Sequence, residues 1–279
     1  MAPSPVGRFV RVAIVALVAT VIALGPLPAQ EAVAGSPIPD SMAALGDSIT
    51  RGFNGCGLFV DCPIRSWSTG SDPAVDSHYL RIKAKNTSLK AYNDAQSGAK
   101  MAALEGQAKT AVSQDVDYVT ILMGPNDACA SSESAMTDVR VFKSQFRTAM
   151  RTLRDGLPDA AIFVSSIPDI KRLWSISKDE ENARAIWDAL RICQSMLANP
   201  LSTDEADEAR RDRVRQRVID YNKALAQVCQ EDDRCKFDEN AVFSYRFTLR
   251  DVSIWDYFHP STAGQALLAD VTYQSGFDW

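Results

Sequence analysis

The sequence predicts an α/β fold in which a mostly parallel sheet is covered by helices. Short apolar or β-branched segments of strand length alternate along the chain with longer segments whose apolar residues recur at helical spacing. The clearest short segment, residues 117–123, is apolar or β-branched almost throughout, which is typical of a strand buried on both faces. Strands and helices that alternate at short spacing favour a parallel sheet with flanking helices.

The N-terminal half contains four predicted strands and three predicted helices. The first strand runs directly into a Gly-Asp-Ser turn, and its serine, Ser48, is predicted to start a helix. A loop-rich stretch over residues 52–76 follows beside this serine. The predicted strands cover residues 38–45, 89–95, 117–123 and 160–164, and the predicted helices cover residues 77–83, 101–114 and a segment from Val141 to near Gly156.

The C-terminal half is predicted to be mainly helical between residues 177 and 231. We interpret the charged residues 204–217 as a solvent-exposed helix face, and we predict a loop over residues 168–174 and a last strand over residues 235–245. Trp174 in that loop is expected either to line a substrate cleft or to pack in the interior. The predicted buried positions are Val214, Val218, Tyr221, Leu225 and Val228, followed by Ala266, Leu267 and Val271 in a final helix capped by Ser261.

The first 34 residues are typical of a secretory signal peptide. Two arginines precede an uncharged apolar run over residues 12–24, prolines follow that run, and a small-residue Ala-Val-Ala segment ends at Ala34. We therefore expect cleavage after Ala34, a single mature domain over residues 35–279, and export from the cell. The alternative is an uncleaved membrane anchor, but the apolar run is short for a span of about 20 residues.

All six cysteines lie in the expected mature chain, and an even number of cysteines in an exported protein predicts disulfides. Six cysteines allow fifteen pairings, and the sequence does not decide between them. The pairing we favour is Cys56 with Cys62, Cys129 with Cys193, and Cys229 with Cys235.

The composition argues against two classes of partner. The chain carries a net charge of −5 and has no basic block, so nucleic acid is not an expected partner. It has two histidines and no Cys-x-x-C pair, so a zinc site is not expected either. We expect a monomer that needs no metal or organic cofactor.

A serine nucleophile needs a base within hydrogen-bond reach and a group that orients the base. The chain offers His78 and His259. His78 has no motif around it, and we interpret it as a surface or capping residue. His259 follows Asp256 by three residues in a predicted loop, a spacing that lets the carboxylate reach Nδ1 while Nε2 faces outward. We therefore predict Ser48 as nucleophile, His259 as base and Asp256 as its orienter.

Hydrolysis of an ester also builds negative charge on the former carbonyl oxygen, which needs hydrogen-bond donors. Ser48, Gly98 and Asn126 each follow the carboxyl end of a predicted strand, so a parallel sheet brings them to one edge. Gly98 has no Cβ and allows close approach, and Asn126 offers an uncharged amide. We predict an oxyanion hole built from the backbone N–H groups of Ser48 and Gly98 and the Asn126 side chain.

These motifs together resemble the SGNH (GDSL) hydrolase family. Gly46-Asp47-Ser48, Gly98, Gly124-x-Asn126-Asp127 and Asp256-x-x-His259 occur in the order and spread of that family, over nearly all of the mature chain. The resemblance implies a flavodoxin-like three-layer α/β/α sandwich and esterase or lipase activity with the residue roles given above. The Gly-x-Ser-x-Gly elbow of ordinary α/β-hydrolases is absent, because residue 50 is threonine.

Within the family, the chain looks most similar to the phospholipase B-like branch. Residues 65–70, residues 98–100 and the Asn126-Asp127-x-Cys129 segment carry this likeness, which implies fatty acyl esters such as phospholipids or lysophospholipids as substrates. Ile49 stands where the family motif has leucine, a conservative change.

Three other functions stay open from the sequence. A carbohydrate O-acetyl esterase would use the same catalytic residues, as would an enzyme that transfers the acyl group to an alcohol. A non-catalytic secreted binding protein could share the fold. A long acyl chain needs an apolar trench, and the candidates for its walls are Leu58, Phe59, Val60, Trp67, Leu173, Trp174 and Trp255.

Overall fold

A five-stranded parallel sheet forms the centre of the computed structural model, which describes residues 37–279 together with residues 1–4 and 7. The predicted leader lies almost entirely outside the described residues, and its cleavage stays a prediction. The strands follow the order β2-β1-β3-β4-β5, which is the flavodoxin-like order. Their bounds are β1 Ser41–Gly46, β2 Lys90–Asn93, β3 Tyr118–Leu122, β4 Ala161–Val164 and β5 Cys235–Phe237.

Ten α-helices accompany the sheet within the described part of the chain, and three are single turns. The longer ones are α1 (His78–Lys83), α2 (Leu104–Gln114), α4 (Val139–Gly156), α5 (Ile170–Ser177), α6 (Glu181–Ala189), α8 (Glu205–Cys229) and α10 (Thr262–Gln274). The shortest are α3 (Pro125–Ala128), α7 (Gln194–Leu197) and α9 (Ala241–Ser244).

Alternate residues of the strands enter two separate cores, which makes the fold three-layered. Val119 and Ile121 of β3 face a large core that includes the apolar faces of α2, α4 and α8. Tyr118 and Leu122 of the same strand face a smaller core shared with α1 and α10. The predicted α/β/α sandwich with a parallel sheet is therefore confirmed, and a one-residue shift in any strand would exchange its two faces.

Several element predictions are wrong in detail. The segment 235–245 forms a strand only over Cys235–Phe237, after which the chain turns and forms α9. The predicted loop after β4 becomes helix α5, where the Asp169 side chain accepts from two backbone N–H groups and caps the first turn. The helical region 177–231 is divided into α6, α7 and α8.

The burial pattern of the C-terminal helices also differs from prediction in two places. The stripe of α8 is buried as predicted, but Arg211, within the supposedly exposed face, is fully buried over the Trp174 ring. In α10, Leu268 and Ala269 are buried in place of Ala266 and Leu267. Uniformly apolar segments such as residues 266–269 do not show which residues face inward.

The six cysteines form three bonds, Cys56–Cys62, Cys129–Cys193 and Cys229–Cys235, the pairing we favoured from the sequence. The first closes a short loop after β1, the second joins the segment after α3 to the start of α7, and the third joins α8 to β5. No helix within the described residues has the length and apolarity needed to cross a membrane.

His78 is not a surface residue, as the sequence analysis had it, but is almost fully buried at the start of α1. Its Nδ1 lies 3.0 Å from the Tyr118 hydroxyl and its Nε2 lies 2.8 Å from the Thr272 hydroxyl. Burial lowers the pKa of His78 to about 3, with a smaller contribution from the Arg81 charge. The imidazole therefore stays neutral in the folded protein near neutral pH. Its hydrogen bonds to the Tyr118 and Thr272 hydroxyls link α1 to β3 and α10.

This buried histidine should make the protein sensitive to acid. The unfolded chain takes up the His78 proton near pH 6.5 but the folded chain does so only near pH 3, so stability is lost as pH falls below about 6.5, by about 1.4 kcal/mol per pH unit. Urea unfolding of the parent and of His78→Gln should show this. Between about pH 7.5 and 5, the parent should lose roughly 2 kcal/mol more than the variant. Equal losses would contradict this role.

Candidate active site

The turn that carries Ser48 begins at Gly46, the last residue of β1. Gly46 has φ +155°, and a Cβ built there would lie 2.5 Å from the Leu122 carbonyl oxygen, so only glycine fits. The next residue, Asp47, accepts a hydrogen bond from the Ile49 N–H at 2.9 Å and so shapes the turn. The chain then continues in irregular turns, and the helix predicted after Ser48 is not formed.

Two buried glutamines that the sequence analysis missed hold this turn from opposite layers. Gln107 of α2 bonds both the N–H and the carbonyl of Gly46, at 2.8 and 2.9 Å. Gln265 of α10 donates to the Ile49 carbonyl at 2.7 Å and accepts from the Trp67 N–H at 2.9 Å. Glutamine at a position where a helix faces its core is the sequence signal that could have found them.

Ser48, His259 and Asp256 form a continuous hydrogen-bonded chain. The Ser48 hydroxyl lies 2.7 Å from His259 Nε2, and His259 Nδ1 lies 2.5 Å from Asp256 Oδ2. The rings of Phe53 and Phe258 pack on the imidazole with centroids 4.8 and 5.1 Å away, which limits its rotation. The arrangement can take a proton from the serine and return it to a leaving group.

The Asp256 carboxylate is buried, yet each of its oxygens has partners. Burial alone would raise its pKa, but hydrogen bonds and charge from His259 and the backbone N–H groups of His259 and Phe258 hold the pKa below its usual range. Those N–H groups lie 3.0 and 2.9 Å from Oδ1. The group is therefore ionised near neutral pH and can stabilise a positively charged imidazole. Asn54, which the sequence analysis missed, donates to Oδ2 at 2.7 Å.

The predicted oxyanion donors lie at the carboxyl ends of neighbouring strands. Asn126 follows β3, and its Nδ2 donates to the Ala99 carbonyl at 3.0 Å, which fixes the amide beside the Gly98 loop. Gly98 has φ +80° and open space where a Cβ would lie, so its backbone conformation is what favours glycine here. Within residues 37–279, the N–H groups of Ser48 and Gly98 donate to no protein acceptor. Both are free to bind an anion.

The family assignment follows from the sequence pattern across this site. Residues 42–272 match the family described as GDSL-like Lipase/Acylhydrolase. The match spans more than half of the chain and runs from β1 to α10. The chain belongs to this family. The enzyme class expected from the sequence, a serine esterase or lipase of the SGNH type, is confirmed at this level.

The membrane-associated phospholipase B1 of Mus musculus is similar to this GDSL hydrolase. The two are 27% identical in an alignment 224 positions long, which covers 67% of this chain and 15% of the mouse protein. The phospholipase B1 of Rattus norvegicus is 28% identical in an alignment 169 positions long, which covers 47% of this chain and 12% of the rat protein. This chain therefore spans only a small part of the length of either relative.

Solved structures share the fold of this GDSL hydrolase. LAE5, an α/β hydrolase from the metagenome of Lake Arreo in Spain, superposes with a TM-score of 0.53 and 17% identity, over 84% of this chain and 94% of LAE5. An acetyl-xylooligosaccharide esterase from Geobacillus, Axe2, also gives a TM-score of 0.53 and 17% identity, over 86% of this chain and 95% of its own. These likenesses show the fold.

A second buried carboxyl group lies next to Ser48, the predicted nucleophile of this GDSL hydrolase. Burial raises the pKa of Asp47 to about 7; the nearby Asp127 carboxyl raises it further, and the Ile49 N–H and His259 oppose the rise. The two oxygens of the Asp127 carboxyl group accept hydrogen bonds from the Met101 N–H at 2.8 Å and the Thr137 hydroxyl at 2.7 Å. Asp47 is therefore only partly ionised at neutral pH, and it places less than a full negative charge behind Ser48.

Two apolar cavities lie at or beside the hydrogen-bonded chain of Ser48, His259 and Asp256. An open groove contains His259 and Asn126, and its walls are Phe53, Phe59, Leu190, Ile192, Phe258 and the Cys129–Cys193 bond. A narrower apolar pocket lies beside it and shares Phe258 with it. Its wall includes Ile49, Pro125 and Pro260, the chain neighbours of Ser48, Asn126 and His259, together with Ile170, Leu173, Ile176 and Phe247.

The residues predicted to line an apolar trench lie in different parts of the structure. Phe59 lines the groove and Leu173 lines the pocket. Trp67 is fully buried in the smaller core, and Trp174 packs in the larger core with its Nε1 donating to the Pro200 carbonyl at 2.9 Å. Neither tryptophan lines these two cavities. Leu58, Val60 and Trp255 are exposed at the surface.

Within the described residues, no group of three or more His, Cys, Asp or Glu side chains is placed to hold a metal ion. The polar groups that converge on the site are one hydroxyl, one imidazole, one carboxylate, one amide and two backbone N–H groups.

Proposed function

We propose that this chain is an exported serine carboxylic ester hydrolase that cleaves acyl esters of lipid type through an acyl-enzyme on Ser48. The observation that carries the proposal is the hydrogen-bonded chain from Ser48 through His259 to Asp256. His259 and Asp256 line the apolar groove, and the neighbours of Ser48 and His259 in the sequence line the adjoining apolar pocket. The proposal accounts for a nucleophile, a base, oxyanion donors and an apolar binding surface at one edge of the sheet.

In the first half-reaction, Ser48 Oγ attacks the acyl carbon while His259 Nε2 takes its proton. The carbonyl oxygen becomes an oxyanion, which the N–H groups of Ser48 and Gly98 and the Asn126 amide bind. Asp256 stabilises the positive imidazole that forms. When the tetrahedral intermediate collapses, the C–O bond to the alcohol breaks and His259 returns the proton to the departing oxygen.

In the second half-reaction, water takes the place of the alcohol. His259 removes a proton from the water, the hydroxyl attacks the acyl carbon, and the same donors bind the second oxyanion. Collapse breaks the ester bond to Ser48, releases the carboxylic acid and restores the serine hydroxyl. An alcohol in place of water would give acyl transfer instead, and product analysis with added glycerol separates the two outcomes.

The acyl chain is the part of the substrate that the apolar pocket fits best. Its lining is mostly aliphatic and aromatic, with three charged residues among it, and its members Ile49, Pro125 and Pro260 are next in the sequence to the nucleophile, the amide and the base. An acetyl group would cover little of this surface, whereas a longer chain would be removed from water along it. We therefore place the acyl chain in the pocket and the leaving group in the groove that contains Asn126 and His259.

This placement predicts a dependence on acyl-chain length. We expect kcat/KM for p-nitrophenyl esters to rise from acetate to butyrate and octanoate by up to roughly fourfold per methylene group, because each buried methylene contributes about 0.8 kcal/mol. The measurement is initial rates on acetate, butyrate, octanoate and palmitate esters. Leu173→Trp should reduce kcat/KM for the longer esters and leave acetate hydrolysis unchanged, because the larger ring fills the pocket away from Ser48.

The matched control is Ile192→Trp, which fills the groove. If this variant, and not Leu173→Trp, shortens the preferred chain, the acyl group lies in the groove. Activity confined to acetyl esters would contradict the lipid-ester proposal and favour a carbohydrate O-acetyl esterase. The named activity of Axe2, an acetyl-xylooligosaccharide esterase, makes acetylated xylooligosaccharides the substrate to test for that outcome.

Export is supported by two features of the chain. The first 34 residues are typical of a leader, and all six cysteines are paired in the structure, which suits an oxidising compartment. N-terminal sequencing of the secreted protein should begin at Gly35.

A further inference from the structure

Asn54 contacts the catalytic machinery from a loop that no catalytic motif includes. It lies in the chain between Ser48 and the Cys56–Cys62 bond, is only 2% exposed, and reaches Asp256, which is 202 residues away in the sequence. Its Nδ2 donates to Asp256 Oδ2 at 2.7 Å, the same oxygen that lies 2.5 Å from His259 Nδ1. Asp256 therefore has two side-chain donors on one oxygen and two backbone donors on the other.

The loop holds the Asn54 side chain in one orientation. Asn54 Oδ1 accepts from the Phe59 N–H at 2.6 Å, so the amide cannot rotate without losing both bonds. The Asn54 N–H donates to the Val60 carbonyl at 2.9 Å, and φ is +60°, a conformation that asparagine adopts more readily than most residues. The Cys56–Cys62 bond closes the loop around these contacts.

We propose that Asn54 is a positioning residue, which holds the Asp256 carboxylate in the plane that the His259 ring requires, and that the disulfide-closed loop is the frame that holds Asn54. This inference rests on the proposed function for its kinetic readout. Without Asn54, Oδ2 would be held only by the His259 ring, whose orientation the carboxylate has to fix, so the two groups could rotate together and turn the imidazole away from Ser48. With Asn54 present, Oδ1 and Oδ2 are each fixed by two donors.

The first test removes the side chain and leaves the backbone unstrained. Glycine adopts φ +60° without strain, so Asn54→Gly deletes the amide alone. We expect kcat to fall roughly 10- to 100-fold, as small misplacements of catalytic groups do, and KM to change little, because Asn54 lines neither cavity. The matched control is Asn240→Gly, at an asparagine with φ +65° beside α9, which should leave kcat unchanged.

The second test keeps the shape of the side chain. In Asn54→Asp, the introduced carboxyl group can still accept from the Phe59 N–H, but it can donate to Asp256 only when protonated. The kcat ratio of this variant to the parent should therefore rise as pH falls from about 8 to about 5, whereas the ratio for Asn54→Gly should stay constant. The other charged groups nearby, Asp256, His259, Asp47 and Arg65, are present in the parent and in both variants.

A third readout does not depend on ester turnover. The proton between His259 Nδ1 and Asp256 should give a downfield proton resonance, and His78→Gln identifies the signal of the only other histidine. This resonance should move or broaden in Asn54→Gly and stay in place in Asn240→Gly. If the parent hydrolyses no ester, the proposed function fails, and the resonance still tests Asn54.

Three results would overturn the inference. They are a resonance in Asn54→Gly at the position of the parent, a kcat in that variant equal to the kcat of the parent, and a pH-independent ratio for Asn54→Asp. Should Asn54→Gly fold poorly, Asn54→Asp keeps the contact with Phe59 and decides the question by itself.

Discussion

Ser48→Ala is expected to lower kcat for ester hydrolysis by about 10⁴-fold or more, the loss typical of removing a triad nucleophile. The Ser48 hydroxyl lies 2.7 Å from His259 Nε2, and no other hydroxyl bonds that nitrogen within the described residues. The measurement is steady-state hydrolysis of a p-nitrophenyl ester, with thermal unfolding of the same sample. Because alanine removes one oxygen from a side chain that is 7% exposed, the melting temperature should change little.

The matched control is Ser88→Ala, at an exposed serine that bonds only to Asn86. It should retain the full rate, and it should react with a fluorophosphonate probe as the parent does, whereas Ser48→Ala should not. A Ser48→Ala variant as active as the parent would refute the nucleophile. A parent that binds esters but never hydrolyses them would favour a non-catalytic binding protein.

The second large effect is expected from Asp256→Asn, which should reduce kcat by about 10⁴-fold. An asparagine amide would donate to His259 Nδ1 and hold the ring in the tautomer that carries its proton on Nε2. That nitrogen could then no longer accept the proton from Ser48. The single remaining oxygen would stay at the Oδ1 position, where the two backbone N–H groups bind it. Asn54 would lose its acceptor, because the amide nitrogen would take the Oδ2 position. Activity should still fall far more than stability.

The control for this variant is Asp138→Asn, at an exposed aspartate that caps α4. Asparagine caps helices about as well as aspartate, so this variant should change neither kcat nor the melting temperature appreciably. Loss of kcat in Asp256→Asn that matched its loss of folded protein would instead mean that Asp256 is structural. The two variants are compared by kcat per folded molecule. Near-UV circular dichroism measures the fraction of each protein that is folded.

The sheet could be predicted because its strands carry a local signal. Residues 117–123 are apolar or β-branched almost throughout, and the structure forms β3 over Tyr118–Leu122 within them. Residues 160–164 behave alike and give β4. A strand buried on both faces needs apolar residues at successive positions, so it can be predicted from the local sequence without knowing which helices cover it. Segment 235–245, with charged residues inside it, lacked that signal and was assigned wrongly.

Polar residues in the interior are where prediction from the sequence failed. His78 bonds Thr272, which is 194 residues away, and Arg211 stacks on Trp174. A polar side chain can be buried only when its partners are in place, and these partners come from distant segments. The role of Asn54 could not be predicted for the same reason, because its partner Asp256 is 202 residues away in the sequence.

The catalytic residue types and their order along the chain are properties of the sequence alone. Ester hydrolysis requires a nucleophile, a base and anion donors, and a parallel sheet places the residues that follow its strands at one edge. The sequence therefore determined Ser48, Gly98, Asn126, Asp256 and His259 as candidates. It could not determine the contacts of 2.7 and 2.5 Å among them, the walls of the two cavities or the role of Asn54, because these depend on side chains far apart in the chain that meet only in the folded protein.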